Sequence, residues 1–358
     1  LRIFSQNRLC VFIKNKNYIR RIYMFTLRSL VTAVALMSSI SAANAWDTLP
    51  TQAPEPSDNP STPEKISLGQ MLYHDPRLSS TGTVSCASCH NTMLGGEDNR
   101  PNSMGVNGQT GGRSAPTVWN SAFNKVQFWD GRAASLEEQA AGPVTNAIEM
   151  GMKSWDDVVV RLKGIEGYQA AFKQAFPGEN AISKDHATKA IAAYERTLIT
   201  PNSPYDKFVS GDKSALSAQQ IRGMDKVAEL GCTSCHSGAA FNGAGMFQKF
   251  PMIPDGYLEA KYHFSKDKGV AEVSKKSEDE HFWKVPTLRN VAITAPYLHN
   301  GSVQTLDEAV QIMAKVQLGK DLAKNDVADI VAFLSALTGE FPKQKMPSLP
   351  ETTGKTVN

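Results

Sequence analysis

The pentapeptide Cys86-Ala87-Ser88-Cys89-His90 returns as Cys232-Thr233-Ser234-Cys235-His236. Cys-x-x-Cys-His is the attachment signature of c-type haem. The two thiols add to the haem vinyl groups, and the histidine that follows reaches the iron as its proximal ligand. Two copies imply two covalently held haems, one on Cys86, Cys89 and His90, the other on Cys232, Cys235 and His236, and a chain with two haems moves electrons. Paired cysteines have other uses. A zinc site would need all four thiolates on one ion and would leave each adjacent histidine without a role. A redox dithiol is a further alternative.

The sixth position of each iron decides between storing electrons and doing chemistry. His/Met ligation raises the potential and suits electron transfer, whereas an open position admits a small oxidant. Met313 is the candidate axial ligand of the second haem, and the first half carries Pro143 at the corresponding place. A helical methionine is ordinarily core filler, but Met313 lies beyond Ala295-Pro296-Tyr297-Leu298-His299-Asn300-Gly301 in a module whose cofactor is already assigned. His74, His186, His263, His281 and His299 are the lesser candidates. His74 stands at a helix end, which suits a histidine on electrostatic grounds alone, and His186 is expected to face solvent.

The elements that must hold these groups repeat as well. Pro116-Thr117-Val118-Trp119-Asn120 aligns with Pro286-Thr287-Leu288-Arg289-Asn290, and Ser135-Leu136-Glu137-Glu138 aligns with Thr305-Leu306-Asp307-Glu308. The offset is 146 residues at the haem motifs and 170 here, so the second half carries 24 extra residues within 237–283, a stretch of little periodicity. The pattern predicts two copies of one haem-binding module with a loop enlarged in the second. Pro63 at a first helical position opens a helix to Tyr73. Ser135-x-x-Glu138, Thr305-x-x-Glu308 and Ser217-x-x-Gln220 read as capping boxes. Ser183 opens a helix through Ile199, and Asn325 caps one over 326–337 with Val327, Ile330, Val331 and Leu334 on one face. No alternating run of strand length competes, so the expected class is all-α.

From Met24 the chain reads as a secretory leader: Arg28, an apolar run from Leu30 to Met37, then Ala43-Asn44-Ala45, with cleavage expected after Ala45. The run is too short to span a bilayer, so a soluble, exported protein is expected. The stretch 1–23 precedes a plausible start methionine and carries Cys10, the odd fifth cysteine. The whole chain has 38 basic and 35 acidic side chains; the leader holds seven basic and no acidic ones, leaving 31 against 35, a net of −4. The overall basicity is therefore no argument for nucleic acid. The remaining 313 residues suffice for two domains.

Over essentially all of that length the chain resembles the bacterial di-haem cytochrome c peroxidases. The resemblance rests on Asp75-Pro76-Arg77-Leu78-Ser79, Phe128-Trp129-Asp130-Gly131-Arg132, Gly142-Pro143 followed by Glu149-Met150, Leu288-Arg289-Asn290-Val291, Ala295-Pro296-Tyr297 and Gln317-Leu318-Gly319-Lys320. It implies two cytochrome c-like domains, 46–200 with the peroxide-cleaving haem and 201–342 with a high-potential His/Met haem, followed by a tail over 343–358. It implies a periplasmic enzyme that reduces hydrogen peroxide with electrons from a small c-type cytochrome or cupredoxin, usually as a homodimer. Met313 matches the family's axial methionine, Glu149 its catalytic glutamate, Gln139 its distal glutamine and Trp129 the tryptophan between the haems.

Elementary chemistry supports those roles. Heterolysis of an O–O bond needs a proton moved from one oxygen to the other, and a carboxylate can relay it as base and then acid. Glu149 lies between Ile148 and Met150, a setting that raises a carboxyl pKa. Alone, Glu149 would read as a loop glutamate, Gln139 as a helix-surface residue and Trp129 as a core aromatic. A calcium ion between the modules is implied at Ser114, Thr294 and Pro296, with Ser114 standing where the family usually has asparagine. Val106 stands where many members place a histidine that caps the first haem, in a glycine-rich segment holding Gly95, Gly96, Gly105, Gly108, Gly111 and Gly112. That segment reads as a surface loop or as a mobile cover. Valine offers iron no lone pair, so the first haem is expected to be open at rest unless Met104 substitutes. Two rival functions remain: oxidation of a partner protein's residues, in which relatives carry tyrosine in place of the axial methionine, and a non-enzymatic electron carrier.

Overall fold

In the computed structural model, residues 47–178 and 180–352 are described; the leader, its cleavage point and Cys10 lie outside them. The first helix, α1 (Pro63–His74), starts where expected, with the Thr62 hydroxyl accepting from the Lys65 amide. The next, α2 (Cys86–Cys89), is the first haem motif itself. Then come α3 (Leu136–Thr145), α4 (Trp155–Lys163), α5 (Glu166–Ala175) and α6 (Lys184–Glu195). The later part holds α7 (Pro204–Val209), α8 (Ala218–Leu230), α9 (Gly256–Tyr262), α10 (Ala271–Ser274), α11 (Leu306–Leu318) and α12 (Lys324–Ser335). No helix among the described residues is long and apolar enough to cross a membrane.

The helical class is as expected, with one small addition. Strands β1 (Phe247–Lys249) and β2 (Phe282–Lys284) pair antiparallel, Phe247 opposite Lys284. β1 and all but the last residue of β2 fall in the region of extra residues, which is ordered by this pair and by α9 and is no featureless loop. The aromatic residues Phe247, Phe282 and Trp283 suit a half-buried pleated surface.

Helix ends differ from the sequence expectation for identifiable reasons. Helix α6 stops at Glu195, four residues short of Ile199, because Leu198 and Thr200 turn away to bond Asn120: the Asn120 amide donates to Leu198 O and the Thr200 amide to Asn120 Oδ1, both at 2.8 Å. Helix α12 starts two residues early, with the Val327 amide bonded to Ala323 O, so Asn325 lies inside its first turn. Phe333 joins its buried face and Val331 stays partly exposed. Of the three capping boxes expected, Ser217–Gln220 alone forms the full reciprocal pair. Ser135 and Thr305 cap their helices, but Glu138 turns to the Ala134 amide and Glu308 to Lys261 and Tyr262.

Three apolar clusters fill the interior. One lies wholly within 68–198, built on Leu68, Leu72, Tyr73, Tyr168, Phe172 and Ile191. The second gathers Phe250, Tyr262, Phe264, Trp283, Tyr297 and Ile312, the third Tyr205, Phe241, Ile330 and Phe333. Two glycines let helices approach closely: a Cβ on Gly69 of α1 would stand 1.8 Å from Ala190 O of α6, and one on Gly223 of α8 1.9 Å from Asp329 O of α12.

Local geometry repeats at the 170-residue offset. Phe128 and Leu298 share positive φ, the bridge between Gln127 and Ala133 recurs between Tyr297 and Val303, and left-handed Asn120 and Asn290 each precede a 3-10 turn. The Asn120 and Asn290 amides both donate to the buried Thr200 hydroxyl, at 2.8 and 2.9 Å. Thr200→Val leaves both without that acceptor. It is expected to lower stability by about 1–3 kcal/mol, read as a lower denaturation midpoint with haem content unchanged.

The ends of the described chain cross over. Near the start, the Leu49 amide donates to Asp206, and Asp206 also pairs with Arg289, a guanidinium buried in the later half. Beyond α12, Phe341 meets the Trp119 ring edge-on, Lys345 O accepts from Gln70, and Pro350 O accepts from Arg77. The described part of the expected tail is thus laid along the first half.

Candidate functional site

Around the first motif, Ser85 precedes α2, the His90 amide closes the turn onto Cys86 O at 2.9 Å, and Tyr73 Oη donates to His90 O at 2.6 Å. The imidazole Nδ1 lies 3.0 Å from Pro116 O. A carbonyl on Nδ1 fixes the tautomer that leaves Nε2 to ligate, the usual arrangement around a metal-binding histidine. The second motif repeats this: Gly231 ends α8 in the left-handed region, Cys232–Ser234 turn directly after it, and His236 Nδ1 lies 3.1 Å from Pro286 O. Burial lowers the pKa of both imidazoles and keeps them neutral, the ligating form.

Among the described residues the four cysteines form no disulfide. Burial pushes Cys86 up to about 12 and Cys89 to about 11, the opposite of the lowered values of redox-active dithiols. Among the described residues no group of three or more His, Cys, Asp or Glu side chains is placed to hold a metal ion, so the four thiolates do not converge as zinc would require.

Beside His90 opens a cleft, which Cys89, Trp129, Arg132, Gln139 and Glu149 also line. Helix α3 carries Gln139 into the wall, and the turn after α3 carries Glu149. Asn146 donates to Glu149 Oε1 at 2.7 Å, and the Val106 amide donates to the Glu149 carbonyl at 2.8 Å. Burial raises the Glu149 carboxyl above its ordinary value, opposed by the positive charge of Arg132 and the Asn146 hydrogen bond. The structure thus brings Glu149, Gln139 and Trp129 to one cleft with His90.

The glycine-rich segment is a folded turn against that wall. Met104 bridges Thr110, and a Cβ on Gly105 would stand 2.0 Å from Ile148 O. Val106 is buried in the first core, while Met104 is half exposed. Trp129 joins the cleft to the later half. Its Nε1 donates to Ser114 O at 2.9 Å, its carbonyl accepts from the Lys284 amide of β2 at 2.9 Å, and its ring packs on the second core.

Met313 stands partly buried on α11 against that same core. Cys232 packs on the third, and Val291 and Leu306 touch both clusters. Ser114 is buried with its amide bonded to His299 O at 2.8 Å, and Thr294 Oγ1 donates to Val291 O at 3.2 Å. No hydrogen bond joins Ser114 to Thr294 or Pro296 among the described residues. His186, expected in solvent, is partly buried and stacks on Phe176 at 4.2 Å. His299 is buried against Trp283, and His74 bonds Gln70 O.

Two acidic residues escaped the sequence reading. Glu195 lines the same cleft, fully buried, and burial pushes its carboxyl up to about 8. Glu97, buried with Asn99 donating to both of its oxygens, rises to about 7. Helical spacing could have flagged Glu195, which continues the buried face of α6; nothing in the sequence marks Glu97.

A family described as di-haem cytochrome c peroxidase matches residues 63–214. The cytochrome c551 peroxidase of Pseudomonas aeruginosa is 43% identical over 336 residues, 92% of this chain and 95% of that protein. The cytochrome c peroxidase Ccp of Escherichia coli is 46% identical over 291 residues, 80% of this chain and 61% of that protein, so the chain spans about three fifths of its length. The crystal structure of a MauG-like protein associated with microbial copper homeostasis shares the fold at a TM-score of 0.72 and 29% identity, over 82% of this chain and 95% of that one. The chain belongs to the di-haem cytochrome c peroxidase family and is an enzyme of that class, with haem as its cofactor.

Proposed function

We propose that the protein is a periplasmic peroxidase that takes hydrogen peroxide, two protons and two electrons to two molecules of water, with two reduced molecules of a small c-type cytochrome or cupredoxin becoming oxidised. The two haems would be held covalently on Cys86, Cys89 and His90 and on Cys232, Cys235 and His236, in domains 46–200 and 201–342 derived from one duplicated module. The repeated backbone geometry at a constant offset supports the duplication. Electrons would enter at the C-terminal haem, ligated by His236 and Met313, and leave for the N-terminal one. The observation that carries this reading is Glu149, a largely buried carboxyl with a raised pKa, on the same cleft as His90.

When bound, haem supplies the iron on which peroxide is cleaved and on which electrons are stored. The chain's own residues do the rest. Glu149 takes the proton from one peroxide oxygen and returns it to the departing one. Asn146 holds the carboxylate in place, and Gln139 can orient peroxide by donating its amide hydrogens. Trp129 lies between the cleft wall and the later half, the place for electronic coupling. Calcium at Ser114, Thr294 and Pro296 and a homodimer remain part of the proposal on the strength of the resemblance. A leader cleaved after Ala45 would carry the chain to the periplasm.

Adding peroxide to the oxidised and then to the half-reduced holoprotein tests the reading. Val106 is turned into the core and offers iron no lone pair, so a high-spin electron paramagnetic resonance signal from one haem and a reaction without prior reduction are expected. Two low-spin signals and inertness to peroxide in both states would identify an electron carrier.

A further inference from the structure

Three lysine and arginine residues are buried among the described residues: Arg196, Arg289 and Lys284. Arg196 pairs with Glu137 at 2.8 Å and Arg289 with Asp206 at 2.9 Å. Lys284 is only 7% exposed, and among the described residues its ammonium has neither a carboxylate nor a hydrogen-bond partner. Burial alone pushes it down to about 8. A buried charge persists in folded proteins when it is paired or bound to a ligand, and an anion that the protein binds would supply the pairing that no carboxylate here provides.

Strand β2 shows where that anion lies. Neighbouring strand residues point to opposite faces. Trp283 faces His299, on which it stacks at 4.0 Å, and Arg113, whose guanidinium lies 5.1 Å from its ring centre. Lys284 points the other way, on the side of its cross-strand partner Phe247, whose ring abuts Gly131 beside Trp129. The strand then runs straight into Pro286, whose carbonyl holds the His236 imidazole. Lys284 does not line the cleft beside His90, which already has Arg113 and Arg132 in its wall.

We infer that Lys284 is a cofactor-binding residue that pairs with a propionate carboxylate of the second haem. The inference rests on the di-haem reading above and gives it an electrostatic element. A retained positive charge beside that haem favours the state holding one more electron, and so raises its potential. An electron-accepting centre gains from this, and Met313 would not be its only source.

The test uses holoproteins. Haem content comes first, from the pyridine haemochrome spectrum: fewer than two haems per chain in the parent protein would sink the di-haem reading itself. Spectroelectrochemical titration then compares the parent with Lys284→Met and Lys284→Arg. Lys284→Met should shift the reduction equilibrium of the second haem at least tenfold toward the oxidised form, 59 mV for one electron, with the first haem unmoved. Lys284→Arg should restore it. If Lys284→Met fails to load both haems, Lys284→Gln takes the same measurement. An unchanged second-haem potential, or a shift confined to the first haem, overturns the assignment. So does a parent potential that follows the concentration of phosphate, since a free anion would then be the partner.

Discussion

Glu149→Ala is expected to slow peroxide reduction by about 10²–10⁴-fold, the span usual for a lost general acid–base, while donor-driven reduction of the second haem continues at the parent rate. The two halves of this expectation separate the proton relay from electron entry, and stopped-flow traces at haem wavelengths record both. The pH profile gives a further handle. The carboxylate is the form that accepts the first proton, and burial has raised its pKa. The rate should therefore fall as pH drops through that raised value, at a higher pH than an ordinary glutamate would give. Arg132 lowers the same pKa through its charge, so Arg132→Leu should move the acid limb to still higher pH. Turnover of Glu149→Ala within a few-fold of the parent would place the relay elsewhere, with Glu195 on the same cleft as the next carboxyl to replace.

Met313→His should leave both haems attached and lower the potential of the second by on the order of 100–200 mV, a fraction of the roughly 0.8 V that axial ligands span. Thioether favours ferrous iron more than imidazole does. At 59 mV per tenfold, this is roughly a 10²–10³-fold loss in the equilibrium for accepting an electron from the donor. Peroxide cleavage by a protein reduced chemically beforehand should suffer far less. A redox titration showing an unchanged second haem would remove Met313 from the ligand set and leave it as filler of the core around Tyr297 and Val303.

Much of the site was legible because its chemistry is written locally. The haem motifs are contiguous, Pro63 and Ser217 start their helices by contacts within one turn, and Glu149 and Gln139 stand in segments whose resemblance could be read residue by residue. What escaped the sequence depends on partners far along the chain. Arg113 meets Asp267 across 154 positions, and no local pattern announces that pair. Helix α6 ends early because Asn120 claims Leu198 and Thr200, a competition between a helix and a distant side chain. Two short strands formed where periodicity was weak, since three-residue pairing needs only a cross-strand partner and leaves little imprint. Burial of Glu195 and Lys284 belongs to the same class: the residue type is visible in the sequence, the loss of water is not.

The crossing of the chain ends has a consequence for cooperativity. Residues 47–49 are seated on the Asp206–Arg289 pair of the later half, and residues 341–350 are laid against Trp119, Gln70 and Arg77 of the earlier one. Each half therefore holds a strap belonging to the other, and neither can open fully without releasing its neighbour's strap. Local unfolding of one half is thereby linked to the stability of both, which favours a single unfolding unit over two independent ones. Under the proposed function electrons cross between the halves, and the double clasp would hold that seam closed.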